Sequence, residues 1–377
     1  MLDRLRTKGG FVFDFGFDPE FFVEKDNKLV PSEKLFKGKL LNSQKIEGSN
    51  SKLIKDGVAV EINGSPSFCR ELLANRINSS FMQNGIRNLY NKGYRITDKS
   101  FIKLTKKQMS TLDFDSLNFG CKPSHNVYVG ENLSIEQNPE EYPYRAAGGH
   151  IHLGYNKSSK TVLNKILQRK KEFIYLLDLL VGNTSVLIDK DKKNKERRQT
   201  YGRAGEYRDT KYGIEYRTLS NFWLRGYPLF SLMFGLARTA FLITACSNLK
   251  RKVHIKELLS LVNQDDVRRA IDENNPRLAK KNFDKIKDWL INCAPIRGWV
   301  SWPQTIKVIE VLYKANLDDY ATKDIIMHWT EKFGTFRRGW DSYADKVLKY
   351  NHLDVDWTQQ DLTKLEKNKK ALTSKAA

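Results

Sequence analysis

Residues 148–154 read Gly-Gly-His-Ile-His-Leu-Gly, and this segment gives the clearest fold prediction in the chain. Side chains alternate across a β-strand, so His150 and His152 share one face, while Ile151 and Leu153 share the other. The flanking glycines leave room for a ligand to approach the backbone. The segment therefore predicts a strand whose apolar back packs on a core and whose front carries polar chemistry.

Three further segments divide in the same way: DPEFFV at 18–23, VAVEIN at 58–63 and IEYRTL at 214–219. Their fronts carry Glu20, Glu61, and Glu215 together with Arg217. Phe22 shares the side of Glu20. The apolar residues predicted on the backs are Phe21, Val23, Val58, Val60, Ile62, Ile214 and Tyr216. Together with residues 148–154, these segments predict an antiparallel sheet with one acidic face.

Carboxylates that share a sheet face repel one another unless cations lie between them. Hard cations such as Mg²⁺ or Mn²⁺ take oxygen ligands with an occasional imidazole, whereas fixed zinc is disfavoured because no thiolate is present and the carboxylates outnumber the imidazoles. The acidic face therefore favours a site for metal and nucleotide. The alternative is that each front simply faces water, as one side of an antiparallel sheet commonly does.

A basic segment lies between the histidine strand and the Glu-x-Arg strand. Residues 197–208 read RRQTYGRAGEYR, and arginines on a glycine-containing loop can bind two phosphate oxygens at once. A basic surface loop is the alternative interpretation. The overlapping stretch DKDKKNKERR at 189–198 is nearly all charged, and the sequence leaves two alternatives open there, a solvated loop and a functional segment.

Composition and charge limit the class of protein. Of 377 residues, 40% are hydrophobic, and Lys and Arg number 65 against 44 Asp and Glu, which gives a net charge of +21. This charge favours nucleic acid or an acidic protein surface as a partner. The four cysteines form no CxxC pair, and the N-terminus has no signal segment, so we predict a cytoplasmic protein with no membrane partner. The apolar stretch 229–246 includes Arg238 and predicts a buried core helix.

The order of predicted elements indicates an α+β fold. Strands and turns dominate from Phe11 to Tyr155, with one helix at 67–90, and a second helix follows at 159–180, ending at Gly182. Helix-forming stretches fill the chain after Lys250. We therefore predict a catalytic domain over residues 11–249, a helical C-terminal region over 250–358 packed on it, and a frayed basic tail over 359–377.

Six segments, taken in order, resemble the glutamine-synthetase-like carboxylate–amine ligases, which include glutamate–cysteine ligase, and more closely the phage-type COOH-NH2 ligases, or amidoligases. The segments are DPEFF at 18–22, VEINGSP at 60–66, FGCKP at 119–123, RAAGGHIHLG at 145–154, YGRAGE at 201–206 and YGIEYRTLSN at 212–221. Each motif alone is unspecific, whereas the six together are specific. The resemblance spans residues 11–248, about two thirds of the chain.

The resemblance implies an antiparallel sheet curved around ATP and two or three Mg²⁺ or Mn²⁺ ions, with helices on its convex face. It matches four residues to metal ligands: Glu20, Glu61, His150 and Glu215. Arg217 matches the arginine that meets the transferred phosphate, and Arg203 resembles a second phosphate-contacting arginine with a catalytic role. The implied nucleotide contacts are Arg198, Arg203 and Arg217.

Three positions are less determined by the resemblance. His152 is either a further metal ligand or a histidine bonded to a neighbouring carboxylate. Lys122 and Ser124 stand where relatives tend to have acidic residues, so one more metal or amine contact is in question.

The implied activity is ATP-dependent amide formation. The carboxylate is phosphorylated to an acyl phosphate, and an amine then displaces the phosphate, with Glu206 and Asp18 as candidate proton acceptors. An amino acid, a peptide, a protein or a modified nucleobase would each fit as a substrate. If the chain is encoded by a bacteriophage, it acts in the host cytoplasm. The competing interpretations are a basic nucleic-acid-binding protein and a metal-dependent phosphotransferase.

Overall fold

The structure is a computed structural model that describes most of the chain up to residue 329. The described residues are 6–7, 10–11, 13–35, 43–45, 51–67, 70–82, 89–119, 124–130, 132–133, 137–155, 168–246, 255–292, 302–314, 325–326 and 329. The tail predicted over 359–377 lies outside them.

Fifteen strands lie within the described ranges. They are β1 (Arg6–Thr7), β2 (Gly10–Phe11), β3 (Phe13–Lys25), β4 (Lys28–Val30), β5 (Ser43–Lys45), β6 (Ser51–Asp56), β7 (Ala59–Gly64), β8 (Tyr94–Thr97), β9 (Phe101–Lys103), β10 (Ser124–Asn126), β11 (Asn132–Leu133), β12 (Tyr144–Ala146), β13 (Gly149–Tyr155), β14 (Glu206–Thr210) and β15 (Gly213–Tyr216).

Twelve α-helices accompany them. They are α1 (Ser32–Leu35), α2 (Arg70–Met82), α3 (Lys106–Met109), α4 (Phe114–Leu117), α5 (Lys170–Leu177), α6 (Asn183–Ile188), α7 (Lys193–Thr200), α8 (Tyr227–Cys246), α9 (Ile255–Ser260), α10 (Gln264–Asp272), α11 (Pro276–Asn292) and α12 (Trp302–Lys314). A π-helical turn, Asp178–Gly182, joins α5 to α6, and a 3₁₀ helix, Asn221–Arg225, precedes α8.

One antiparallel sheet organises the fold. Its nine-strand path runs β11-β10-β14-β15-β13-β3-β7-β6-β5 and is not closed, while β4 and β8 extend it by pairing with β3. The long strand β3 pairs with β13 through residues 13–19 and with β7 through Glu20 and Phe21. The strands and helices together confirm the predicted α+β class.

The back of the sheet packs on helix α8. Phe15 and Phe17 of β3 contact Phe234 and Phe230 of this helix, with ring centroids 5.0 and 4.9 Å apart respectively. The helix is buried along its described length, which confirms the prediction for 229–246. None of the described helices has the length and apolarity needed to cross a membrane.

The helices after residue 255 share this core. Asn183 at the start of α6 donates a hydrogen bond of 2.9 Å to the carbonyl of Ala279 in α11, and both residues are fully buried. A single hydrophobic cluster joins the sheet, α8 and the C-terminal helices. The boundary predicted at 249–250 stays a prediction, because it falls on residues 247–254, outside the described part.

Two predicted helix ranges differ from the structure. The helix predicted at 67–90 is observed as α2, residues 70–82; residues 68–69 and 83–88 are not described. The prediction that Gly182 ends the second helix is wrong, because α5 continues through the π-helical turn into α6. A Cβ atom at Gly182 would lie 2.6 Å from the Tyr216 hydroxyl, so close packing explains the glycine. Residues 156–167 lie outside the described ranges.

Of the two alternatives for residues 189–198, the solvated loop is wrong for the second half of the stretch. Residues 193–200 form α7, in which Asn194, Arg197 and Arg198 are buried and the intervening residues are exposed. Spacings of three and four residues place these side chains on one helix face, which packs inward. The position predicted for Val58, on the back of a strand, also differs from the structure. Val58 lies in the β6–β7 turn and packs with Phe22 rather than with the main core.

Candidate active site

The front of the sheet brings the predicted acidic residues together. Glu20 on β3 lies directly opposite Glu61 on β7, and Asp18 on β3 lies opposite His150 on β13. Glu215 on β15 faces the same strand, β13. The four predicted metal ligands therefore share one face with Asp18, because the pleat gives residues two apart the same direction.

His150 lies at the centre of a first acidic group. Its Nδ1 atom is 3.3 Å from Asp18 Oδ1, 3.5 Å from Glu215 Oε1 and 3.7 Å from Glu20 Oε1. The ligand atoms of Asp18, His150 and Glu215 all lie within 4.8 Å of one another, and all three residues are buried. An imidazole with two carboxylates in this arrangement can hold a divalent cation.

A second acidic group adjoins the first. It consists of Glu20, Asp56 and Glu61, whose ligand oxygens also lie within 4.8 Å of one another. The backbone N–H of Gly148 donates to Glu20 Oε2 at 2.6 Å and fixes that carboxylate. A Cβ atom at Gly148 would lie 2.3 Å from His150 Nε2, so only glycine fits between the two groups.

The pKa values of these residues reflect crowded negative charge. Burial raises the pKa of Glu20, and the Asp56 and Glu61 carboxylates raise it further. Burial, followed by the Asp18 and Asp56 charges, raises the pKa of Glu61 to about 8. Burial also raises the pKa of Asp56. Each shift favours a proton or a cation on the acidic face.

The donor set fits hard divalent cations. It offers carboxylate oxygens and one imidazole, the combination that suits Mg²⁺ or Mn²⁺. Asp18 Oδ1 is buried and accepts no hydrogen bond of good geometry from the described residues, so it has capacity for a ligand bond. The two groups together could hold two ions, one between Asp18, His150 and Glu215, and one between Glu20, Asp56 and Glu61.

Glu215 also binds two arginines. Its Oε1 lies 3.1 Å from Arg217 Nε, and its Oε2 accepts a 2.6 Å hydrogen bond from Arg208 Nε. Arg217 in turn donates to the Ser124 hydroxyl at 2.6 Å and to the Tyr201 hydroxyl at 3.3 Å. Arg217 thus has a fixed position beside the first acidic group. Lys122 is not described, whereas Ser124 serves as a partner of this arginine.

The other two predicted arginines bind elsewhere in the structure. Arg203 donates to the carbonyls of Arg198 and Gln199 at the end of α7. Arg198 is buried and donates to the Asn274 side chain at 2.8 Å, on the side of the C-terminal helices. Of the three predicted nucleotide contacts, Arg217 is the one bonded within the acidic face, and the roles of Arg198 and Arg203 stay predictions.

His152 is bonded to a carboxylate in this structure. Its Nε2 atom lies 2.6 Å from Asp18 Oδ2. Burial acts to lower the pKa of His152, but the charge and hydrogen bond of Asp18, together with the Glu215 and Glu61 charges, outweigh burial and raise the pKa to about 9. Burial likewise acts to raise the pKa of Asp18, and the two histidines lower it instead. The arrangement corresponds to the hydrogen-bonded alternative for His152, and a ligand role stays a prediction.

Sequence reasoning missed Asp56 and Tyr201. The position of Asp56 could have been predicted from the sequence. A two-residue turn at Gly57–Val58 pairs Asp56 with Ala59, and Ala59 lies on the front face. Tyr201 carries no such signal, because it follows α7 in a loop. Its hydroxyl is bonded both to His150 Nε2 and to Arg217. Asp18, predicted as a candidate proton acceptor, belongs to the acidic face as well.

Comparison with models of known protein families supports the predicted resemblance to carboxylate–amine ligases. Residues 128–281 match the family model described as Phage phiEco32-like COOH.NH2 ligase-type 2. The predicted resemblance to carboxylate–amine ligases is confirmed. The matched segment includes His150, Glu215 and Arg217. None of the curated proteins compared with the chain matches it.

Proposed function

We propose that this protein is an ATP-dependent ligase that joins a carboxylate to an amine through an acyl phosphate. The match to a carboxylate–amine ligase family supports the reaction class. The observation that carries the proposal is the convergence of two acidic groups around His150, with Arg217 bonded at their edge. This arrangement has the charge distribution that a metal-bound polyphosphate requires.

The reaction needs ATP because a carboxylate at neutral pH is a poor electrophile. A carboxylate oxygen attacks the γ-phosphorus, the bond to the ADP oxygen breaks, and acyl phosphate and ADP form. The amine nitrogen then attacks the acyl carbon, the bond between that carbon and the phosphate oxygen breaks, and the nitrogen loses one proton as phosphate leaves. The products are an amide, ADP and phosphate.

The acidic residues and Arg217 have separate tasks. Asp18, Glu20, Asp56, Glu61, His150 and Glu215 would hold divalent cations, which neutralise phosphate oxygens. Arg217 is positioned by Glu215 and Tyr201 so that its guanidinium can meet charge on the transferred phosphoryl group. Glu206 is buried and accepts a 3.0 Å hydrogen bond from the Gly202 N–H. We keep Glu206 and Asp18 as candidate proton acceptors.

The competing functions predict different properties. A nucleic-acid-binding protein of charge +21 would use its basic residues and would leave the acidic face without a role. A metal-dependent phosphotransferase would release ADP without an amine. Dependence of ADP release on an amine separates the ligase from both.

The test is a screen of substrate pairs with Mg²⁺ and ATP. Carboxylates and amines, including amino acids, peptides and polyamines, are incubated with the protein, and products are identified by mass spectrometry as the sum of both substrates minus one water. A carboxylate labelled with oxygen-18 should pass one label to inorganic phosphate. Label found in AMP would contradict the acyl phosphate, and ADP release without an amide would contradict the ligase.

A further inference from the structure

The loop between α7 and β14, residues 201–205, connects the candidate active site to the C-terminal helices. Its first residue, Tyr201, is bonded through its hydroxyl to His150 and to Arg217. The residue that follows the loop, Glu206, accepts a 3.0 Å hydrogen bond at its carbonyl from the Arg217 N–H. The position of loop 201–205 therefore affects several groups of the site at once.

The backbone of loop 201–205 depends on contacts from outside the loop. Gly202 and Gly205 both have a φ of +73°, in the left-handed region that L-residues rarely adopt. Because glycine has many other conformations in a free chain, contacts from neighbouring elements must select this one. Asn126 on β10 donates a 2.9 Å hydrogen bond to the Ala204 carbonyl. The sheet thus fixes one backbone group of the loop.

The C-terminal helices supply further contacts to this segment. Asp272, the last residue of α10, accepts a 2.7 Å hydrogen bond at its Oδ1 from the Ala204 N–H. Asn274, two residues later, accepts a 2.8 Å bond from Arg198 of α7 and donates a 3.0 Å bond to the carbonyl of Asp191. Two neighbouring side chains therefore contact the chain before α7, within α7 and after it.

The turn that carries these two side chains is itself fixed by backbone bonds. Asn274 has a φ of +50°, and its N–H donates to the Ile271 carbonyl at 3.0 Å. The N–H of Asn275 donates to the Ala270 carbonyl at 2.8 Å, which completes the Schellman motif that ends α10. The Asn275 side chain then accepts a 3.1 Å bond from the Leu278 N–H at the start of α11. Both side chains thus project from a turn with a defined backbone.

We infer that Asp272 and Asn274 are positioning residues for the reaction, because they fix α7 and the loop that carries Tyr201. The inference rests on the ligase function proposed above, since it concerns the same site. Both residues act through Tyr201, whose hydroxyl is bonded to the candidate metal ligand His150. The C-terminal helices thus contribute to the active site by fixing one of its loops.

Two variants remove these contacts, and a third is their control. Asp272→Ala removes the acceptor for the Ala204 N–H, and Asn274→Gly removes both side-chain bonds but keeps a left-handed turn. Glu273→Ala, at the exposed carboxylate between them, is the matched control. Amide hydrogen exchange of the ligand-free full chain, measured by mass spectrometry, should be about fivefold faster over residues 191–206 in both variants and unchanged in the control. Asp272→Asn keeps an oxygen acceptor and should restore the wild-type rate.

Mn²⁺ affinity, measured by electron paramagnetic resonance, tests whether the contacts act through Tyr201. Asp272→Ala should weaken Mn²⁺ binding about fivefold. In the Tyr201→Phe background, the same substitution should change Mn²⁺ affinity by less than about twofold, because the hydroxyl that it positions is already absent. Asn274→Gly should give the same pattern and serves as the second test if Asp272→Ala does not fold. A role in global stability alone would lower the thermal midpoint and leave Mn²⁺ affinity unchanged.

Several results would overturn the inference. Wild-type exchange rates in Asp272→Ala and Asn274→Gly would show that neither side chain fixes the segment. Unchanged Mn²⁺ affinity in these variants, or full additivity with Tyr201→Phe, would show that they do not act through the hydroxyl. Amide formation at the wild-type rate in Asp272→Ala would contradict the positioning and support the ligase. The expected exchange and Mn²⁺ results without any amide in the substrate screen would support the positioning and contradict the ligase. A wild-type chain that binds no Mn²⁺ would contradict both.

Discussion

Glu215 and its two arginines show how charge is arranged on the acidic face. Arg217 and Arg208 contact different oxygens of the same buried carboxylate. Arg217 is buried, whereas the Arg208 side chain is 31% exposed. A buried arginine bonded to three partners cannot be replaced by lysine without loss, because the planar guanidinium reaches several acceptors and an ammonium does not.

Arg217→Lys should therefore reduce turnover more than nucleotide binding. The charge is kept, so Mg²⁺-ATP affinity should change little, but removing a contact to the transferred phosphoryl group should lower kcat by about 10²–10³. Steady-state kinetics and calorimetry measure the two effects separately. Arg208→Lys, at the exposed partner of the same carboxylate, is the control and should have a smaller effect. Weak ATP binding with normal maximal turnover would place Arg217 in ground-state binding instead.

The Tyr201 hydroxyl links His150 and Arg217, in addition to the contacts that both residues make with Glu215. If His150 Nδ1 binds a cation, the proton of the neutral imidazole lies on Nε2. That N–H then donates a hydrogen bond to the Tyr201 hydroxyl, which fixes the orientation of the imidazole ring. Tyr201→Phe keeps the ring but removes this partner, and it should weaken Mn²⁺ binding by about tenfold. Electron paramagnetic resonance of Mn²⁺ titrations measures the affinity, with Tyr212→Phe as the control. An unchanged Mn²⁺ affinity would show that the hydroxyl does not orient a metal ligand.

The strands were more predictable than the loops and helix faces around them. Alternation along β3, β13 and β15 predicts that Phe21, Ile151 and Tyr216 face the core, and all three are buried there, because the pleat fixes direction once a strand exists. The directions of Arg198 and Arg203 were not predictable in this way. They depend on how α7 and the loop after it pack. Helical spacing places Asn194, Arg197 and Arg198 on one face of α7, but because these residues are polar, the sequence does not mark that face as the buried one.

The π-helical turn between α5 and α6 connects the back of the sheet to the helices. Asp178 in this turn accepts a 2.7 Å hydrogen bond from the Tyr216 hydroxyl, and it is fully buried. Tyr216 is the last residue of β15, between Glu215 of the same strand and Arg217, which directly follows the strand. The turn therefore supports from behind the end of β15 that positions both residues.

Asp178 should make stability depend on pH. Burial raises its pKa from 3.8 to about 7, only partly offset by the Tyr216 hydrogen bond, so the folded chain keeps a proton that the unfolded chain has lost. The stability that the folded protein gains from holding this proton is fully present below pH 3.8 and is lost as pH rises toward 7. Urea unfolding should show that Asp178→Asn reduces the fall in the free energy of unfolding over this range. The same pH dependence in both proteins would contradict the shift.

At the scale of the whole molecule, a large positive charge is combined with a local acidic face. A net charge of +21 attracts polyanions, yet the acidic face repels them unless cations are bound. Nucleotide binding in the absence of divalent ions is therefore expected at most on the basic surface. The function proposed for the acidic face depends on metal and nucleotide binding together.

Calorimetric titration of ATP, with Mg²⁺ and with excess chelator, tests this dependence. We predict that ATP binds with Mg²⁺ and that binding is lost in chelator, because like charges would otherwise meet on the acidic face. Glu61→Gln keeps the size of the side chain but removes one negative charge, and it should weaken Mg²⁺-dependent ATP binding while leaving the thermal midpoint of the ligand-free protein nearly unchanged. Equal ATP affinity in chelator, or full Mg²⁺-dependent affinity in Glu61→Gln, would contradict the acidic face as the site of metal and nucleotide.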